Sequence, residues 1–249
     1  MSEKEYLVIE PAKFEKLLRM VSLPKASKAL LEPVEFHFDE NGLWVRQYDN
    51  ANIVAVIANF RPGYFQEYNI MPSFQVSASS ILPDLRKVLK LDRAIKIFLT
   101  EDKIFFKGEL EEYSDLRPNI AVYSIEPDKI VERPFGFCSS RLNPHKIYRL
   151  DVGQLELMKA EEISFEYGDV LTAEIASETK SYRRRLVHEA NPAGEGSGRV
   201  TLYYDILQRV VKNLSGMVYM VFTEEGPVIF SQKTDVYSLT YVIAPREEE

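Results

Sequence analysis

Apolar residues alternate with polar ones along most of this chain, the signature of half-buried strands. Val34, Phe36 and Phe38 alternate with Glu35 and His37; Glu40-Asn41-Gly42 then turns the chain, and Leu43-Trp44-Val45 starts the next run. Ile53–Ile57 is nearly all β-branched or small. Ile95, Ile97 and Leu99 run toward Glu101-Asp102, after which Ile104-Phe105-Phe106 returns. Ile163, Phe165 and Tyr167 alternate before Gly168-Asp169, followed by Leu171, Ala173 and Ile175. Val218, Met220 and Phe222 precede Glu224-Glu225-Gly226, then come Val228-Ile229-Phe230 and Tyr237, Leu239, Tyr241 and Ile243. This is the pattern of an antiparallel meander.

Three stretches switch to a helical period. Pro11–Val21 carries Phe14, Leu17, Leu18 and Val21 on one stripe, with Pro11 suited to the first turn. Ser80–Leu91 carries Ile81, Leu82, Leu85, Val88 and Leu89, with Ser79 or Ser80 as the N-cap. Thr201–Leu214 carries Tyr203, Leu207, Val210 and Leu214. A fourth helix is expected between 143 and 162, where Gly153 interrupts the pattern. We read a strand near Lys146–Val152 and a short helix at Gln154–Glu161. The unit of one helix followed by several strands occurs about four times, two per half. Between the halves, 117–134 carries Pro118, Pro127 and Pro134 and has the character of a linker. The expectation is an α+β protein of two similar domains, 1–116 and 135–249, each with two short helices packed on antiparallel sheets.

Composition fits that picture. The 249 residues are 45% hydrophobic and 28% charged, which supports a packed core rather than disorder. The longest apolar runs are far short of the roughly 20 residues that span a bilayer, and the acidic start MSEKEYLVIE has no leader-like pattern. An intracellular soluble protein without a membrane partner is expected. One cysteine, Cys138, excludes an intrachain disulfide and any multi-cysteine metal site.

Charge sharpens the question of partners. Lys and Arg number 31 against 38 Asp and Glu, a net charge of −7. A protein that held nucleic acid by charge alone would be basic, so the positions of its cations decide the matter. At 100° per residue, the side opposite the first apolar stripe centres on Lys16 and Arg19. The same construction places Arg86, Lys87 and Lys90 outward on the second helix, and Arg209 and Lys212 outward on the late one. One reading is that Lys and Arg are simply good helix formers on a solvated face. The other is a positive surface that follows phosphates without reading bases. No recognition-helix motif, zinc finger or basic region is present.

The strand edges carry a second charge pattern. Leu110–Leu116 reads LEEYSDL, with Glu111, Glu112 and Asp115; Lys180–Val187 reads KSYRRRLV, with Lys180 and then Arg183, Arg184 and Arg185 in a row. If both are edge strands, an acidic and a basic edge pair head to tail between chains. Alternatively, the charges only keep edges from aggregating, or the arginines bind phosphate.

No pattern points to catalysis. His37, His145 and His188 lack metal-ligand spacing, and HExxH, GxSxG and Walker sequences are absent. Gly194-Glu195-Gly196-Ser197-Gly198 lacks the lysine of a phosphate loop and follows Asn191-Pro192, so it reads as a flexible connection. No enzyme activity, cofactor or metal is expected.

Several segments carry a family resemblance in order and spacing. SLTYVIAPREEE (Ser238–Glu249) resembles the closing strand and tail of archaeal sliding clamps of the proliferating cell nuclear antigen (PCNA) family, with Ile243-Ala244-Pro245-Arg246 at its core. GLWVRQYDNANIVAVIANF (Gly42–Phe60) and RPGYFQEYNI (Arg61–Ile70) resemble the segments that follow one another there. ILPDLRKVLKL and YYDILQRVVKNL resemble the family's basic helices. The chain departs from the family in three places: Tyr48 stands where methionine is usual before Asp49, the first helix of the second domain is degraded, and Arg184-Arg185 makes the basic edge dense.

The resemblance implies a clamp fold and a ring, either a homotrimer or a heterotrimer with sister subunits, that encircles duplex DNA without sequence specificity. It implies that Lys16, Arg19, Arg86, Lys87, Lys90, Arg209 and Lys212, with Lys159, face the duplex. It also implies that Glu111, Glu112, Asp115, Lys180, Arg183, Arg184 and Arg185 form the subunit interface. Clients such as DNA polymerase, flap endonuclease, DNA ligase and the clamp loader would insert short aromatic-containing peptides beside Tyr48, Ile53, Ala55, Ile125, Pro227, Val242, Ala244 and Pro245. The implied location is cytoplasmic and nucleoid-associated in an archaeon, nuclear in a eukaryote. The competing reading is a clamp-like interaction module, or a damage-response variant, that does not act as the replicative ring.

Overall fold

The computed structural model describes residues 5–246 apart from 26–27, 89–92, 101–102, 109–111, 115–143, 157–159, 177–180, 190–192 and 225; for 84, 86–88, 112–114 and 176 it describes the backbone only. The expected linker 117–134 and Cys138 lie outside the described residues. The chain forms two compact units. The first comprises Met1–Gln47, Val56–Glu132 and Lys233–Ser238, the second Tyr48–Ala55, Arg133–Gln232 and Leu239–Glu249.

In the first unit, the strands β1 (Tyr6–Ile9), β5 (Glu67–Tyr68), β7 (Ile95–Leu99), β8 (Ile104–Lys107) and β9 (Glu112–Ser114) make an antiparallel sheet ordered β5-β1-β7-β8-β9. The strands β2 (Val34–Asp39), β3 (Gly42–Tyr48), β4 (Val54–Phe60) and β6 (Phe74–Val76) run in the order β4-β3-β2-β6. The turn expected at Glu40-Asn41-Gly42 joins β2 to β3. It needs glycine, because Gly42 has φ +130° and a Cβ there would lie 2.2 Å from the carbonyl oxygen of Phe60.

Helix α1 (Pro11–Ser22) buries Phe14, Leu17, Leu18 and Val21, the expected stripe, together with Met20. Each large apolar side chain so buried contributes roughly 1.5–3 kcal/mol. Phe14 meets Phe106 of β8 at 5.7 Å between ring centres. Helix α2 (Ala78–Val88) starts two residues before the expected Ser80, and Ser77, not Ser79 or Ser80, precedes its first turn. The Ser77 carbonyl accepts the N–H groups of Ser80 and Ile81, both at 3.1 Å. The cap comes from elsewhere in the chain: the Glu32 carboxylate accepts the Ser79 N–H at 2.8 Å and the Ser79 hydroxyl at 2.7 Å.

In the second unit, β10 (Pro144–Asp151), β15 (Met217–Thr223), β16 (Val228–Lys233) and β17 (Tyr237–Ile243) run in that order. The strands β11 (Glu162–Tyr167), β12 (Leu171–Ala176), β13 (Ser181–Leu186) and β14 (Gly198–Tyr203) form an antiparallel sheet ordered β13-β12-β11-β14. Phe222 of β15 joins the two layers: its ring stacks on Tyr167 at 4.3 Å and meets Tyr148 edge-on at 5.9 Å.

Three expectations for this unit need correction. Helix α3 is Tyr204–Val211, because Thr201, Leu202 and Tyr203 pair with Ser164, Ile163 and Glu162 as the end of β14. The inward residue is therefore Tyr204, while Tyr203 is 39% exposed. The helix expected from Gln154 begins instead as a 3-10 turn, Val152–Leu155, closed by the Asp151 carboxylate accepting the Gly153 N–H at 2.8 Å. The Gln154 amide then clasps Val187, donating to its carbonyl and accepting its N–H, each at 2.7 Å. Finally, the Gly194–Gly198 segment is packed rather than loose. Gly194 has φ +87°, the Gly196 N–H donates to the His145 carbonyl at 2.9 Å, and a Cβ on Gly196 would lie 2.1 Å from the His145 ring.

Candidate functional site

The hairpin after β3 is organised by one buried carboxylate. Asp49 is 7% exposed. Its Oδ1 accepts the N–H groups of Ile53 at 2.7 Å and Val54 at 2.8 Å, and its Oδ2 that of Ala51 at 3.2 Å. Asn52 takes the left-handed conformation, φ +56°, that asparagine tolerates. Ile53 then turns its carbonyl to the C-terminal segment and accepts the Ala244 N–H at 2.8 Å. The expected client residues Ile53 and Ala244 are thus directly joined.

Other members of that set are placed differently. Tyr48 is 42% exposed, and Ile53, Ala244 and Pro245 are half-buried. Ala55 and Val242 are buried in their strands at 3% and 6% exposure, so they back the surface rather than line it. Pro227 is buried at the turn before β16, its carbonyl accepting the Thr223 hydroxyl at 2.9 Å. Ile125 lies outside the described residues.

The basic helix faces are less uniform than the angular construction implies. Lys16 and Lys212 are exposed and make no ion pair among the described residues. Arg19 and Arg209 each bond to an acid one turn earlier: Arg19 Nε donates to Glu15 at 2.9 Å, and Arg209 Nε to Asp205 at 3.1 Å. Acid at i with base at i+4 is the favourable order, and it binds part of the positive charge internally. The backbone of Arg86 and Lys87 lies in α2, while Lys90 and Lys159 lie outside the described residues.

Cations also occur on the strands, among them Arg46, Arg184 and Arg185, and several arginines outside the helices are tied to carboxylates. Arg149 pairs with Glu189 at 2.8 Å, Arg199 with Glu174 at 3.3 Å, Arg183 with Glu166 and Arg246 with Glu162. On the helices, Lys13 of α1 pairs with Glu10 at 3.0 Å, whereas Lys16 and Lys212 have no such partner among the described residues.

Both charged edges stand at sheet margins: β9 ends one sheet and β13 another. Along β13, Arg183 and Arg185 are exposed on one face, and Arg184 is half-buried on the other, opposite Ala173. Glu112 lies in β9, whereas Glu111, Asp115 and Lys180 fall outside the described residues.

The histidines are all engaged in packing. His37 Nδ1 lies 3.1 Å from the Ser73 hydroxyl, His145 Nδ1 lies 3.2 Å from the Tyr167 hydroxyl, and the His188 ring meets that of Tyr148 at a tilt of 60°, 4.9 Å between centres. Among the described residues no group of three or more His, Cys, Asp or Glu side chains is placed to hold a metal ion, and no helix is long and apolar enough to cross a membrane.

Sequence reasoning missed three residues that shape this region: Asp49 as the organiser of the hairpin, and Arg246 and Glu162 as partners at the C-terminus. The Asp-Asn-Ala-Asn run was the one local signal, since Asp and Asn favour side-chain-to-backbone turns. The Arg246–Glu162 pair has none, being 84 positions apart by residue number (246 − 162).

No protein-family model and no curated protein sequence matches this chain significantly. Solved structures do. A PCNA2–PCNA3 complex from Sulfolobus tokodaii superposes with a TM-score of 0.73 at 17% identity, over 98% of this chain and 100% of that one. PCNA of A. fulgidus, bound to the C-terminal region of FEN-1, gives 0.74 at 18% identity over 98% and 99%. PCNA of Entamoeba histolytica gives 0.74 at 13% identity over 98% and 99%. Over essentially its whole length, the chain has the fold of a PCNA sliding clamp.

Proposed function

We propose that this chain is a subunit of a DNA sliding clamp, a non-enzymatic ring component that encircles duplex DNA and tethers replication and repair enzymes. The observation that carries this reading is the extent of the clamp fold, which runs through 98% of the chain and 99–100% of the neighbours. In this reading residues 1–116 and 135–249 are the paired clamp domains, joined in sequence by a linker at 117–134.

In this reading, enclosure rather than affinity prevents loss from DNA. Lys16 and Lys212, with Arg86, Lys87, Lys90 and Lys159, meet phosphates loosely enough for sliding, and Arg19 and Arg209 contribute less because each is held by its own helix. A net charge of −7 is compatible with this, since several outward arginines are already neutralised by carboxylates and enclosure does not require tight binding. Head-to-tail pairing of β9 with β13 closes the ring, acid against base. The surface around Tyr48, Ile53, Ala244 and Pro245 takes client peptides with aromatic anchors. The PCNA2–PCNA3 complex supports a sister subunit as a partner, and the FEN-1 complex supports a flap endonuclease. DNA polymerase, DNA ligase and a clamp loader are the further clients this reading implies.

The internal Glu15–Arg19 and Asp205–Arg209 pairs favour a second reading, a clamp-like module that does not enclose DNA. Native mass measurement of the chain, alone and mixed with candidate sister chains, separates the two. A ring of three subunits supports the clamp; monomers in every mixture contradict it.

A further inference from the structure

The segment after β17 is fixed at both ends by backbone bonds of alternate residues. The Ala244 N–H donates to Ile53, and two residues on the Arg246 N–H donates to the Thr201 carbonyl of β14, also at 2.8 Å. Pro245 lies between them and has no N–H to offer. The Arg246 side chain adds two further contacts: its guanidinium pairs with Glu162 of β11 and lies over the Tyr203 ring, 5.6 Å from its centre. Glu162 and Tyr203 are themselves register partners, so one arginine closes over a single cross-strand pair.

We infer that Arg246 is the positioning residue of the client surface: docked on Glu162 and Tyr203, it holds Ala244 and Pro245 where a peptide meets them. The inference rests on the proposed client role of that surface. The chemistry is one of ordering. A segment outside a strand that is held at one point alone is mobile, and a peptide binding to it must itself bear the entropy of fixing it. With Arg246 anchored, that cost is met before the peptide arrives. Arginine suits the task because its planar group pairs with a carboxylate and covers an aromatic face at once, whereas lysine keeps the charge without the planar fork.

The test uses the full chain, with Arg246→Ala, Arg246→Lys and the swap Glu162→Arg/Arg246→Glu. The probe is a fluorescent peptide of the C-terminal region of a flap endonuclease, and amide exchange of the segment around Ala244 is followed in parallel without peptide. Loss of an ion pair and a cation–π contact at a half-exposed site predicts about five- to tenfold weaker binding for Arg246→Ala. It also predicts faster exchange at Ala244, an intermediate Arg246→Lys and recovery toward the parent in the swap. Unchanged affinity and unchanged exchange in Arg246→Ala overturn the inference. If the parent does not bind the peptide, the client role falls, and exchange at Ala244 alone still decides whether Arg246 positions the segment.

Discussion

Asp49 accepts the backbone N–H of Ile53 at 2.7 Å through a carboxylate oxygen that also takes the N–H of Val54. A buried carboxylate with three backbone donors is satisfied only in this turn, so the turn and the residue specify one another. Replacing Asp49 with Ala leaves buried donors unpaired and costs about 2–3 kcal/mol. Thermal unfolding should show the midpoint lowered by roughly 4–12 °C at this chain length. Peptide binding at the Ile53–Ala244 surface should weaken in the same variant, because Ile53 loses its fixed carbonyl. An Asp49→Ala protein with the parent's midpoint and affinity would show that the turn forms without its carboxylate.

The helix lysines and helix arginines should behave unequally toward DNA. Lys16 and Lys212 are exposed with no ion pair among the described residues, while Arg19 and Arg209 are held by Glu15 and Asp205. Charge reversal of Lys16 together with Lys212 should reduce loading on duplex DNA and lower the slope of log K against log salt by about 1 for each lost contact. Arg19→Ala with Arg209→Ala should have the smaller effect. Equal losses in both pairs, measured over a salt series, would contradict the assignment.

These two cases show what the sequence revealed and what it hid. The β2–β3 hairpin was legible because alternation and an Asn-Gly turn agree locally. The start of α3 was not. Thr201-Leu202-Tyr203 fits a helical stripe and an alternating strand alike, and six register pairs with β11 decide for the strand. Angular spacing put Arg19 and Arg209 outward, but it does not reveal that a partner one turn earlier takes up each guanidinium. The Glu32 cap on α2 and the Gln154 clasp on Val187 depend on residues tens of positions away, where local patterns carry no information. The proposed client surface was reached only through resemblance, since nothing in their spacing announces that Ile53 and Ala244 are joined.

Assembly should depend on the basic edge. Arg184 is half-buried at the margin of its sheet, and Arg185 is exposed beside it. Changing both to Glu places like charges against the acidic strand of a neighbouring copy and should convert rings to smaller species in gel filtration. Adding Glu111→Arg and Glu112→Arg to the same chain should restore the ring. Rings that persist in the first variant would remove β13 from the interface.

Alkaline pH should destabilise the protein through its buried tyrosines. Burial pushes the phenols of Tyr64 and Tyr68 well above their ordinary value, and Tyr148 in the same direction. Since the unfolded phenol ionises near pH 10, their contribution is complete below that pH and is lost as pH rises toward the folded values. Phenolate absorbance should therefore resolve a late-titrating class among the 14 tyrosines, one that denaturant abolishes. A single transition near pH 10 in the folded protein would contradict the burial.

The central claim is that the chain works by enclosing DNA, and retention on closed circular against linear duplex tests it most directly. After loading with its sister subunits and a clamp loader, the protein should stay on a closed circle through a high-salt wash and leave when one double-strand cut opens the circle. Equal retention on the circle and on the cut DNA, or loss from both in the wash, would contradict it.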